Sequence, residues 1–177
     1  MTTLLTSMTR TNPGAGSFPW VETYLFASSD LVVGTVVANR AYVQRTRVDN
    51  AIRVTKARWY VGVASGNVDV GIYSFDGTTA TLLASTGATA AAGTSAYQEA
   101  NLTAAFTFQP GVDYWIFFMA TDGATFTTQR IGGSVTEGAT VDTSISRFYK
   151  AAAGNSLAAS YTSFTASSAT IWAKFLP

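Results

Sequence analysis

The sequence has neither cysteine nor histidine among its 177 residues. Without cysteine there can be no disulfide, no thiol nucleophile and no cysteine-ligated zinc or iron–sulfur site. Without histidine there is no Ser-His-Asp or Cys-His catalytic arrangement, and most catalytic zinc sites are excluded. The sequence also lacks phosphate-loop, dinucleotide-binding and nucleophile-elbow motifs. We therefore predict a protein that is not an enzyme and carries no cofactor.

Charge is also scarce: 12% of the residues are charged, 47% are hydrophobic, and the net charge is +1. About a quarter of the residues are charged in an average globular domain. This balance gives no general electrostatic attraction to nucleic acid or acidic membranes. No apolar run in the sequence approaches the roughly 18 residues of a membrane-spanning helix. We expect neither nucleic acid nor a membrane as a partner, and the low charge suits a surface that neighbouring subunits partly cover.

Short strands separated by turn residues are the main pattern along the chain. Apolar side chains alternate with polar ones in residues 101–109, whereas residues 112–119 are apolar on both faces, which is typical of a strand covered on both sides. Residues 85–96 are a low-complexity stretch that predicts a surface loop. Turn signals recur every 8–12 residues or so. The pattern predicts an all-β fold, an antiparallel jelly-roll β-sandwich of about eight to ten strands, with an immunoglobulin-like sandwich as the alternative.

Several local features follow from turn chemistry. We predict that residues 101–109 and 112–119 pair as a central hairpin through Pro110-Gly111, and that Ser65-Gly66-Asn67 and Asp76-Gly77 are also hairpin turns. The long strand over residues 52–63 is predicted to be bulged around Lys56. The central hairpin is expected to supply largely buried side chains, namely Phe106, Phe108, Trp115, Ile116 and Phe118.

Residues 1–19 show no sustained periodicity and contain Pro13-Gly14. We predict an extended N-terminal arm over residues 1–19, followed by a single domain over residues 20–177. Leu4, Leu5 and Met8 are the arm's candidate contacts with a neighbouring subunit. The alternative interpretation is a floppy terminus.

Six of the eleven cationic residues fall within residues 40–58. Arg45 and Arg47 are two residues apart and share a strand face. Together with Arg53 they are candidate contacts with an acidic protein surface. The alternative is a solvated outer strand whose arginines protect a sheet edge.

Aromatic residues have two possible roles. If two or more were exposed, they would form a platform on which sugar rings stack, but core packing is the alternative. Trp59 and Tyr60 point to opposite faces of one strand, so one of them is expected outside, and both are candidate glycan contacts. The other aromatic residues considered for such a platform are Trp20, Trp115 and Trp172.

Four aspartates lie at or near turns: Asp69, Asp76, Asp113 and Asp122. Turn carboxylates can hold Ca²⁺ together with backbone carbonyl groups, but aspartate is common in turns because it stabilises them locally. We favour turn chemistry, since no spacing singles out a pair or cluster.

The central part of the chain has a characteristic order of strands and turns. It runs VDVGIYSF (68–75), DG (76–77), LLAS (82–85), LTAAFTF (102–108) and PGVDYW (110–115). This order, across residues 51–121, resembles jelly-roll modules of tailed-bacteriophage virion proteins, which occur in capsid decoration proteins, head fibres and tail adhesins. The resemblance implies a non-enzymatic component of the virion surface, commonly trimeric, whose partners are the major capsid protein or other virion proteins.

Two functions stay open. The first is a capsid decoration, or cement, protein that attaches to the capsid through its arm and its basic edge. The second is a fibre or tail receptor-binding module that recognises host surface carbohydrate. Copy number separates them, since a cement protein is expected in hundreds of copies per particle and an adhesin in few.

Overall fold

The computed structural model describes residues 20–22, 31–131, 147–151, 155–166 and 171–177. These residues form fourteen strands and no helix, which confirms the predicted all-β class. The predicted arm over residues 1–19, with Leu4, Leu5 and Met8, lies outside the described residues. In chain order the strands are β1 (Val21–Glu22), β2 (Leu31–Thr35), β3 (Arg40–Arg47), β4 (Ile52–Val63), β5 (Asn67–Phe75), β6 (Thr79–Ser85), β7 (Thr89–Ala90), β8 (Thr94–Phe108), β9 (Asp113–Ala120), β10 (Thr127–Ile131), β11 (Arg147–Ala151), β12 (Ser160–Thr162), β13 (Thr165–Ala166) and β14 (Ala173–Leu176).

The strands pair antiparallel in two sheets. In sheet A, β8 pairs along one edge of β4, while β14 and β10 share the other edge and continue to β1 and β2. Sheet B runs β12-β6-β5-β9-β3-β11-β13, with β7 added beside β5. The longest ladder in sheet A is therefore β4–β8, and β9 is the middle strand of sheet B.

A main core fills the space between the two sheets. Alternate residues of β4 in sheet A and of β5 in sheet B point into it, as the period of two requires. Burying each larger side chain of this kind stabilises the fold by roughly 1.5–3 kcal/mol before ordering costs. The core residues from these two strands are Val54, Ala57, Trp59, Val61, Val68, Val70 and Ile72.

A second core covers the other face of sheet B. Leu157 and Tyr161 pack there, with Phe164 beside them, against the outward side chains of β5, β9 and β3. The rings of Tyr73 and Phe117 stack with centroids 3.9 Å apart, and those of Phe117 and Tyr161 with centroids 5.3 Å apart. Residues 155–166 therefore form an outer layer over this face, and within them β12 and β13 pair with β6 and β11 at opposite ends of sheet B.

Strand β9 belongs to both cores. Tyr114, Ile116 and Phe118 face the main core, whereas Trp115, Phe117 and Met119 face the second core. The prediction that this strand is covered on both sides is confirmed. The continuous apolar run between residues 113 and 120 exists because each face meets a different apolar layer.

The predicted central hairpin is wrong. β8 pairs with β4 in sheet A, and β9 lies in sheet B between β5 and β3. Pro110-Gly111 does reverse the chain, and Gly111 has a φ of 74°, but the reversal carries the chain from one sheet to the other. Glycine in a left-handed conformation marks a turn and does not reveal whether the flanking strands pair.

Of the other two predicted hairpin turns, one forms a hairpin and one joins strands of different sheets. Asp76-Gly77 joins β5 to β6 as a hairpin, as predicted. Ser65-Gly66-Asn67 does not form a hairpin, because β4 and β5 lie in different sheets. The predicted bulge near Lys56 is confirmed by a register shift between Val54 and Lys56. The predicted loop over residues 85–96 is wrong in part, since it contains β7 and the first residues of β8.

Phe106 is half-buried rather than largely buried as expected. It packs against the main core but lies on β8, whose far edge pairs with no strand among the described residues. Phe108, Trp115, Ile116 and Phe118 are buried, as predicted. Both rings lie on the same face of β8, and the Phe108 ring also packs against Phe175 of the main core, with centroids 5.9 Å apart.

We expect Phe108→Ala to lower the free energy of unfolding by about 3–5 kcal/mol, because the fully buried ring would leave a cavity. Phe106→Ala, two residues earlier on the same face, is expected to cost less because its ring is half-buried. Urea denaturation of both variants measures the difference. Equal losses, or a loss below ~1 kcal/mol for Phe108→Ala, would contradict this account of the core.

Candidate binding surfaces

Two chain crossings between the sheets lie side by side at one end of the molecule. Val48, just after β3, bridges to Pro110, and the Gly111 N–H donates to the Val48 carbonyl at 2.9 Å. Arg47 ends β3, and Arg53 is the second residue of β4. The fold thus brings the three candidate arginines to one end of the molecule, which we call the arginine end: Arg45, Arg47 and Arg53.

The three arginines do not form one continuous edge as expected. Arg45 and Arg47 share the outward face of β3 in sheet B, because the alternate residues Ala41 and Val43 on that face enter the second core. Arg53 lies on the outward face of sheet A, because its neighbour Val54 enters the main core. The three arginines are divided between two sheets because the chain crosses from sheet B to sheet A after Val48.

Charge at the arginine end is only partly neutralised. The Arg45 Nη2 atom lies 2.6 Å from the Asp113 Oδ2 atom, and both side chains are about a third exposed, at 34% and 36%. A pair this accessible to solvent stabilises a fold by about 0–1 kcal/mol. Arg47 and Arg53 are exposed, and no carboxylate in the described part of the chain forms an ion pair with either.

Three aromatic side chains share the outward face of sheet A. Tyr60 on β4 lies directly opposite Tyr97 on β8. On the other edge of β4, Trp59 lies opposite Ala173, so Trp172 comes next to Tyr60. The ring centroids are 5.5 Å apart for Tyr60 and Tyr97 and 5.3 Å for Tyr97 and Trp172. We call Tyr60, Tyr97 and Trp172 the aromatic row.

The aromatic row is accessible. Tyr97 is 56% exposed, and Tyr60 and Trp172 are half-buried. Tyr97 was not recognised from the sequence because it follows the small residues of the predicted loop. What reveals Tyr97 as a member of this surface is its position on β8, and that position depends on pairing with β4.

A charged pair borders the aromatic row. Arg58 lies two residues before Tyr60 on the same face, opposite Glu99 on β8 and Lys174 on β14. The Arg58 Nε–H donates to the Glu99 Oε1 atom at 2.7 Å, and the Arg58 Nη2 group contacts the same oxygen. Both side chains are about a third exposed, so their remaining donors and acceptors face solvent.

The candidate glycan contacts divide between the two faces. Trp59 is fully buried in the main core, so its ring is not available to a sugar and this candidate is withdrawn. Tyr60 points outward as a member of the aromatic row. The expectation that one of the two lies outside is confirmed, as the alternation of the strand requires.

Three of the aspartates considered for Ca²⁺ have local partners. Asp76 accepts hydrogen bonds from the backbone N–H groups of Thr79 and Thr78, and these lower the pKa of its carboxyl. Asp122 accepts hydrogen bonds from the Ser65 hydroxyl and from the backbone N–H groups of Ala124 and Thr125, and these lower the pKa of its carboxyl. Asp113 pairs with Arg45. Within the described ranges no three acidic side chains form a group suited to a metal ion.

The fourth aspartate, Asp69, is buried under the outer layer of sheet B, with 1% of its surface exposed. Its Oδ2 atom accepts the Leu157 N–H at 2.9 Å, and its Oδ1 atom accepts the Thr86 hydroxyl at 3.2 Å. Burial raises the pKa of the Asp69 carboxyl, although these hydrogen bonds oppose the change. Asp69 thus ties the segment around Leu157 to β5.

No protein-family model matches this chain, and no curated protein matches it. In the described part of the chain, no helix is long and apolar enough to span a membrane.

Asp69 predicts a pH dependence of stability. Because folding raises its pKa above the unfolded value near 3.9, its stabilising contribution is fully present below that value and declines as pH rises through the folded pKa. We expect the stability advantage of wild type over Asp69→Asn to be largest near pH 4 and to shrink toward pH 7. Urea titrations across this range measure it.

Asp76→Asn is the matched control, because the pKa of Asp76 is lowered and its contribution declines as pH falls through the folded pKa. The two variants should therefore show opposite trends with pH. Parallel trends would show that Asp69 is not buried as described.

Proposed function

We propose that the chain is a non-enzymatic virion structural protein, a capsid decoration (cement) protein of a tailed bacteriophage that attaches to the outer capsid surface. The resemblance across residues 51–121 supports this. The structural observation that carries the proposal is the arginine end, where Arg47 and Arg53 present charge without an ion-pair partner among the described residues. The partner is the major capsid protein or another virion protein with an acidic surface.

The jelly-roll topology and the arm belong to this proposal. Consecutive strands repeatedly lie in opposite sheets, as β3 and β4, β4 and β5, β8 and β9, and β9 and β10 do. Crossing of this kind is expected where Greek keys fold into a double-sheet jelly roll. The arm over residues 1–19, with Leu4, Leu5 and Met8, would supply apolar contacts beside the charged ones.

The energetics explain why two contacts are needed. Each buried apolar side chain of the arm contributes roughly 1.5–3 kcal/mol, whereas ordering its backbone costs about 1–2 kcal/mol per residue. The arm alone is therefore a weak anchor. Arg47 and Arg53 add charge-assisted hydrogen bonds to carboxylates, and attraction between exposed charges is screened beyond ~10 Å in 0.1 M salt.

Arg47→Ala and Arg53→Ala are each expected to reduce co-sedimentation with particles stripped of this protein, mainly at low salt. Arg40→Ala is the control, because it removes the same charge from the opposite end of β3. Binding by Arg47→Ala and Arg53→Ala equal to wild type at low salt would contradict attachment through the arginine end.

Removal of residues 1–19 is expected to weaken co-sedimentation at every salt concentration, because apolar contacts are not screened as charges are. The truncated chain should retain the same thermal midpoint if the arm is not part of the core. Undiminished binding by the truncated chain would remove the arm from the attachment mechanism.

The resemblance also suggests a homotrimer. Light scattering of purified protein is then expected to give about three times the 18.6 kDa chain mass. A monomer at high concentration would restrict assembly to the capsid lattice.

A second candidate is a fibre or tail receptor-binding module that recognises host surface carbohydrate. The observation that favours it is the aromatic row, of which Tyr60 is the member predicted as a glycan contact. Quantitative mass spectrometry of purified particles separates the candidates, since hundreds of copies support decoration and a few copies support receptor binding.

A further inference from the structure

We propose that the aromatic row and the Arg58–Glu99 pair form a binding site for the pyranose rings of a neutral surface polysaccharide. The proposal rests on the receptor-binding candidate and names its ligand class and contact residues. It is independent of capsid attachment through the arginine end, because the site uses other side chains.

The aromatic row offers flat apolar surface to solvent. The flat face of a pyranose ring carries C–H groups, which pack on the π-face of tyrosine or tryptophan. Tyr97 is more than half exposed, at 56%, and it contacts both Tyr60 and Trp172. Exposed aromatic side chains grouped in this way on a sheet mark binding surfaces more often than isolated exposed apolar residues do.

The border of the row matches the polar edge of a sugar. The hydroxyl groups of a pyranose ring both donate and accept hydrogen bonds. Arg58 offers guanidinium donors, and Glu99 offers carboxylate acceptors. The two residues lie opposite each other on the same face, two residues along the β4–β8 ladder from Tyr60 and Tyr97. The charges of Arg58 and Glu99 cancel because the two groups pair with each other. This pair therefore suits a neutral ligand that needs donors and acceptors together.

Single-stranded nucleic acid fits the same surface less well. Its binding sites combine stacking residues with a continuous cationic groove. Here Glu99 neutralises Arg58 beside the aromatic row, and its carboxylate would oppose a phosphate. Lys174 is the next cation on the face, and its Nζ atom lies 3.9 Å from the centroid of the Trp20 ring.

The floor of the site is held by hydrogen bonds to β10 and by the β4–β8 ladder. The Trp172 N–H donates to the Gln129 carbonyl at 3.1 Å, and the Thr128 hydroxyl donates to the Tyr60 carbonyl at 2.6 Å. β10 thereby fixes two of the three stacking residues, and the β4–β8 ladder fixes the third. A site on paired strands is organised before the ligand arrives, which lowers the entropic cost of binding.

The test is a glycan array of bacterial surface polysaccharides probed with the full chain, followed by calorimetry on the neutral glycans that bind. Tyr97→Ala and Trp172→Ala are each expected to weaken binding about tenfold. Tyr97→Phe should bind as wild type because it keeps the ring. Glu99→Gln should weaken binding where the carboxylate accepts a sugar hydroxyl.

Leu83→Ala is the matched control, because Leu83 is an exposed apolar side chain on β6 of sheet B, at 40% exposure. Equal thermal midpoints for all variants show that folding is intact. The proposal is overturned if no neutral glycan binds, or if Tyr97→Ala binds as tightly as wild type. It is also overturned if only acidic glycans or oligothymidylate bind, or if Tyr97→Ala instead dissociates an oligomer. Capsid co-sedimentation is measured separately and does not depend on these results.

Discussion

The fold depends on the burial of β9 on both faces. Its even-numbered side chains from Tyr114 to Phe118 complete the main core, and its odd-numbered ones from Trp115 to Met119 complete the second core. β9 also pairs with β3 on one edge and β5 on the other. One strand therefore joins two apolar layers and the middle of a sheet, and its first residue, Asp113, holds Arg45 at the arginine end.

The outward faces of the two sheets differ in how far they are covered. The outward face of sheet B is covered by residues 155–166, which Asp69 and the stacked rings of Tyr73 and Phe117 hold in place. The outward face of sheet A instead presents Tyr97 and its aromatic neighbours to solvent. Substitutions of these exposed side chains are therefore expected to cost the fold little.

The sequence predicted what depends on local alternation. The all-β class, the bulge before Lys56, the doubly covered β9 and the Asp76-Gly77 hairpin all follow from side-chain period or turn chemistry. The pairing of β8 with β4 does not, because a reversal at Pro110-Gly111 looks the same whether the chain pairs or changes sheets. For the same reason the sequence predicted the candidate arginines but not their division between two sheets. Tyr97 was missed because its position on the sheet depends on a partner strand far along the chain.

The change of sheet between β8 and β9 also affects how the chain folds. β9 pairs with β3 across a long loop, from Arg40 opposite Ala120 to Arg47 opposite Asp113, and closing long loops is slow. The β5–β6 hairpin pairs close neighbours, Phe75 with Ala80, so it can form early and offer β9 an edge. Until β3 joins from the other side, the most apolar strand of the chain has an open edge. Crowded, partly folded chains at that stage are thus the ones most exposed to mispairing with one another.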